Sequence, residues 1–250
     1  MESTLEQYYF NIAVVHRWSA LFAKLALASI VAAVATGNRK PGQQFLALAF
    51  AVQFLLAGWL AVTINTSEEF AGYAARAALP VGIVSIVLAL ALGLTLFYPE
   101  GQWRVRHEQG WRTALGWMLI GLGFVYPFHG DSLWRGALWA PVGAIPHPGL
   151  LIAGALAWIG MPDTHRLAAW ALALGALAIG LIDILAGGVQ SSWLLVGLGG
   201  LLVVDLVRSM LHSGGIVEDD TPRVDRQKRV RAHREVEEKT KPQGRTWKLK

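Results

Sequence analysis

The chain has 250 residues, 54% of them hydrophobic and 16% charged, with a formal net charge of +5 and no cysteine. An average soluble domain is roughly 45 to 50% apolar and about 25% charged. Half of the lysines and arginines here follow His212, so everything before it is more apolar still. These values exclude a water-soluble domain over that stretch, and the missing thiols exclude disulfide frameworks, thiolate metal sites, iron–sulfur clusters and cysteine nucleophiles.

Windows of about 17 to 25 apolar residues, enough to cross roughly 30 Å of hydrocarbon, recur along the sequence. The first runs from Asn11 to Thr36. It follows an acidic start and lacks a cleavage-site pattern, so it is read as a helix rather than a signal peptide. It carries His16 and Arg17 near its beginning and Lys24 near its middle. The second and third windows are Gln43 to Ile64 and Ala74 to Phe97; the fourth, Thr113 to Phe128, is short. Leu138 to Gly160, the fifth, contains Pro141, Pro146 and Pro148. The sixth, Leu167 to Ala186, holds Asp183, and the seventh, Trp193 to Leu211, holds Asp205 and Arg208.

Loop charges orient these segments. Arg39 and Lys40, then Arg104, Arg106 and Arg112, then Arg166 follow the odd-numbered segments, and the basic tail ends the chain. Glu68 and Glu69 beside Arg76, Asp131 beside Arg135, and the uncharged stretch 187–192 occupy the opposite loops. Cytoplasmic loops collect lysine and arginine, so the expected fold is all-α: a polytopic membrane bundle of about seven transmembrane helices, N-terminus outside and C-terminus inside. The same pattern favours a bacterial inner (plasma) membrane. Tyr8, Tyr9, Phe10, Trp103, Trp111, Trp134 and Trp193 fall near segment ends, where amphipathic rings prefer to lie.

The bundle is expected to cover residues 1–211 and a charged cytoplasmic tail residues 212–250. The tail alternates acid and base and has almost no large apolar residue before Trp247. Such a segment buries too little surface to offset the entropy of ordering, so it is expected to be mostly disordered. Its cluster Arg223, Arg226, Lys228, Arg229, Arg231 and Arg234 suits anionic lipid headgroups at about 1 kcal/mol per residue. Nucleic acid is not expected as a partner, because interleaved aromatics are missing. Small residues four apart, Ala153 with Ala157 and Ala176 with Gly180, allow close helix packing. Gly197, Gly199 and Gly200 serve either internal packing or a face for a partner helix.

Ionisable residues inside a membrane are costly and are normally paired or face a cavity. Lys24, Asp205 and Arg208 are expected to pair, with Asp205 nearest Lys24 in depth and three residues from Arg208. Asp183 lies at the depth of His16 and Arg17, so a bridge to either would tie the first helix to the sixth. With His129 and Asp131 these residues form a candidate polar site on the outer side, suited to a proton or a divalent cation. No dedicated ligand spacing is present, so no metal or cofactor is expected. Pro141 to Pro148 makes a continuous helix doubtful, and such backbone is tolerated at membrane depth only inside protein or along a cavity. His147, between two prolines, then sits either at a broken helix of the kind transporters use or wet in an interfacial loop.

Several short motifs carry a resemblance. A Thr63-Ile64-Asn65 step closes the second segment and Tyr126-Pro127 the fourth, and Gly143-x-x-Pro146-x-Pro148 leads into the fifth. Together they resemble an uncharacterised bacterial multi-pass membrane family, the domain of unknown function 6064, over most of the chain up to about Leu211. In that family's pattern cysteine stands between the two prolines and threonines follow, whereas His147 and Gly149 occupy those places here. The resemblance implies architecture rather than activity.

No Gly-x-Ser-x-Gly elbow, His-Glu-x-x-His, phosphate loop or Rossmann fingerprint occurs. The leading expectation is therefore a non-enzymatic accessory or scaffold component of a membrane complex, partnered by another membrane protein or by its own copies. A small-solute, ion or proton carrier comes second. A membrane enzyme or haem-linked electron-transfer subunit, with His16 and His129 as axial ligands, comes third.

Overall fold

The structure, a computed structural model, describes residues 17–35, 43–63, 77–97, 110–125, 145–161, 164–186 and 192–214. They form seven α-helices and no strand. We number these α1 (Arg17–Ala35), α2 (Gln43–Thr63), α3 (Leu79–Leu94, continued by a 3-10 turn at Thr95–Phe97), α4 (Trp111–Val125), α5 (Pro146–Gly160), α6 (Arg166–Ala186) and α7 (Ser192–Gly214). Each falls within or beside one of the seven apolar segments read from the sequence.

Four of them, α2, α3 with its 3-10 turn, α6 and α7, are long and apolar enough to cross a membrane. α1 and α4 contain shorter apolar stretches, Ala20–Ala32 and Trp111–Val125. The outward faces are apolar as well. α2 exposes Val52, Leu55, Leu56 and Trp59, and α3 exposes Ile83, Val87, Leu90 and Leu94. A helix on the surface of a water-soluble bundle turns a polar face outward. Apolar residues on both faces are the build of a membrane protein.

Packing among these helices depends on close backbone approach, because lipid supplies no hydrophobic incentive for helices to associate. α2 and α3 meet where a Cβ placed on Gly58 would lie 2.8 Å from the carbonyl oxygen of Gly82. α6 and α7 meet at Gly199, whose Cβ would lie 2.9 Å from the carbonyl oxygen of Ala173. Gly199 packs internally, while Gly197 and Gly200 have open space where a side chain would stand. Ala153, Ala157, Ala176 and Gly180 are all buried.

α5 is the centre of the arrangement. Every residue from Pro146 to Gly160 is buried, and α2, α4 and α6 pack around it, with Leu198 of α7 against Gly154. At 15 residues it is about 22 Å long, shorter than the roughly 30 Å hydrocarbon layer. It begins where the sequence forbids a longer helix. Ile145 is extended, with φ −126° and ψ 152°, as the residue before a proline prefers. Pro146 and Pro148 also remove two of the four N–H groups that a helix start leaves without intrahelical partners. This start can therefore be enclosed in protein at reduced cost. Residues 138–144 of the expected fifth span lie outside the described residues.

The chain divides into two compact units, Met1–Val207 and Arg208–Lys250. Of the second, residues 208–214 are described and complete α7. The expected tail otherwise lies outside the described residues.

Candidate functional site

Two polar clusters hold the ends of α5. At its first turn, Nε2 of His147 bonds Oδ2 of Asp183. Oγ of Ser192, the first residue of α7, donates to the same carboxylate oxygen at 3.2 Å. The His147 and Asp183 side chains are 1% and 0% exposed. His147 is therefore not wet in an interfacial loop, and that alternative is corrected: the Pro-His-Pro step is the buried first turn of a helix. The bonds from His147 and Ser192 give the Asp183 carboxyl group partners within the protein, which lowers the cost of removing it from solvent. Asp183 was expected to bridge to Arg17 or His16; His16 and the Arg17 side chain lie outside the described residues, as do His129 and Asp131.

Across the same turn lies Gln53 of α2, 7% exposed. A Cβ on Gly149 would lie 2.4 Å from its Nε2, so the amide fills the place a side chain would take. Gln53 is the only amide between Phe45 and Val62. That isolation in an apolar run is the signal by which the sequence could have disclosed it.

The second cluster lies at the other end, about 16 Å along the helix axis. Nε1 of Trp158 donates to Oδ2 of Asp205 at 2.6 Å, and Nη2 of Arg112 reaches the same oxygen at 2.8 Å. Arg112 also donates to the carbonyl oxygen of Trp158, from Nε at 3.1 Å and from Nη2 at 2.7 Å. Its guanidinium stands 5.3 Å from the Trp158 ring centre, and the Trp111 ring meets Trp158 edge-on at 5.9 Å. The Thr164 hydroxyl donates to the carbonyl of Ala157 at 3.1 Å. Carbonyls left open by the end of a helix thus receive side-chain donors. Arg112 belonged to the loop charges in the sequence; the fold makes it a principal partner of Asp205. Lys24 is half-buried on α1, and Arg208 is exposed on α7.

The first cluster is not a hydrolytic triad. In a triad the histidine stands between serine and carboxylate and takes the hydroxyl proton. Here the carboxylate stands between Ser192 and His147, so the hydroxyl is bonded to an acceptor that does not activate it. Among the described residues no group of three or more His, Cys, Asp or Glu side chains is placed to hold a metal ion. What the arrangement shows is an imidazole–carboxyl hydrogen bond shielded from solvent.

No family model, curated protein or solved structure matches this chain.

Proposed function

We propose that this chain is a polytopic protein of the bacterial inner membrane, with seven crossings, the N-terminus outside and the C-terminus inside. Within it, the His147–Asp183 unit serves a small-solute, ion or proton carrier. The loop charges support the orientation, and α5 belongs to the fifth crossing. One observation carries the carrier reading: a titratable pair, both members fully buried, at the start of a short helix enclosed within a lipid-facing bundle. Intramembrane carboxylates and imidazoles of this kind mark ion and proton paths, and broken helices mark carrier sites.

Proteoliposomes test it. With an imposed potential, the wild-type protein is expected to acidify the lumen measurably faster than empty vesicles. Asp183→Asn and His147→Gln are expected to reduce that flux at least about tenfold at equal reconstituted protein. Wild-type flux equal to that of empty vesicles would remove the reading.

A second reading, an accessory component of a membrane complex, rests on a different observation. Gly197 and Gly200 are open, and Val204 beside them on α7 is exposed, a surface on which another backbone can approach closely. Native mass spectrometry after gentle extraction is then expected to find a stoichiometric partner or a second copy. A lone chain with retained lipid counts against it.

A further inference from the structure

The start of α5 presents donors on a side that Asp183 does not occupy. Successive helix positions turn by about 100°, so His147 and Gly149 point roughly 200° apart. The imidazole and carboxylate lie on one side of the turn and Gln53 on the other. Ile145 supplies no side-chain cap, and the N–H group of His147 is one of the four that a helix start leaves over. The Gln53 amide nitrogen, on a side chain only 7% exposed, finds no acceptor among the described residues. It is held against that turn by the missing Cβ of Gly149. A backbone donor, the positive end of the helix dipole and a buried amide N–H therefore converge where an acceptor oxygen is required.

We infer that this turn binds the anionic group of a small monovalent oxyanion, such as a carboxylate or nitrate. The inference rests on the carrier reading and gives it a substrate class. Half-helix N-termini within membrane bundles receive anionic substrate groups for the same electrostatic reason. Gln53 adds a directional bond on one flank. The His147–Asp183 hydrogen bond lies on the other flank, so that carboxylate does not compete for the donors on this one.

Nitrate and pyruvate are the probes, since their acids leave little neutral form to leak through lipid. In proteoliposomes under an inward proton gradient, the wild-type protein takes up at least one of them saturably. Gln53→Leu raises the half-saturation concentration about tenfold, the loss of one hydrogen bond to a charged group. Gln53→Glu, which puts a carboxyl group in the same place, abolishes uptake. Gly149→Ala, which displaces the amide, repeats the effect of Gln53→Leu should that variant fail to fold. Proton flux without uptake of either anion, or an unchanged half-saturation concentration in these variants, overturns the anion site and leaves the proton carrier standing. Neither flux nor uptake in the wild-type protein overturns both.

Discussion

Asp183→Ala is expected to destabilise the detergent-solubilised protein by about 3 to 5 kcal/mol, the cost of stripping one partner from a buried charged pair. His147→Ala should cost nearly as much, because it leaves a carboxylate that is 0% exposed with the Ser192 hydroxyl as its described side-chain donor. The double variant should lose less than the two single losses combined, since neither member of the pair is then left buried without the other, although the Ser192 hydroxyl still loses its acceptor. Equilibrium unfolding of the four proteins measures the coupling directly. Additive losses would mean that the two side chains do not form an energetic unit, and the start of α5 would then be held by apolar packing. The same cycle separates structure from transport. Asp183→Asn keeps the shape and an acceptor for Ser192, so it should retain most of the stability while losing the proton site.

Arg112→Ala is expected to cost about 2 to 3 kcal/mol. Most of that comes from the charge-assisted bonding to the single Trp158 carbonyl, since a hydrogen bond to a charged group contributes roughly 1.5 to 3 kcal/mol. The ion pair with Asp205 adds less, because both side chains are partly exposed, at 35% and 24%, and solvent screens them. Arg112→Lys should recover less than half of the loss. An ammonium group cannot place two donors on one carbonyl, reach the carboxylate and cover the indole face together. Trp158 supplies the second readout: withdrawing the guanidinium from its ring should change its fluorescence before global unfolding. Full recovery of stability by lysine would show that charge alone holds this end of α5.

Much of the architecture was legible because hydrophobic length is a local property. The seven segments were placed from composition, and α2, α6 and α7 begin within a residue or so of the expected positions. The proline run likewise made a continuous helix through Pro141 to Pro148 doubtful, and α5 starts at Pro146 within it. Pairing was another matter. Asp183 and His147 were both candidate polar-site residues, one as an intramembrane acid and the other between prolines, yet the bond expected for Asp183 ran to Arg17 or His16. Arg112 was taken for a loop charge and Ser192 for an uncharged loop residue, because their roles depend on where helix ends meet. Gln53 drew no attention, since an amide costs less than a charge in an apolar run.

The sequence by itself determined the solvent of this protein, its helical class, the segments that form helices and the residues that cannot lie in lipid without help. Those follow from transfer energies and backbone geometry, which each segment carries alone. Only the tertiary structure decided that α5 is enclosed on every side, that Asp183 meets His147 while Asp205 meets Arg112 and Trp158, and that Gln53 stands against Gly149. These depend on how each helix is rotated and how closely its neighbours approach, and glycine contacts such as Gly58 with Gly82 and Gly199 with Ala173 set those distances between segments far apart in the chain.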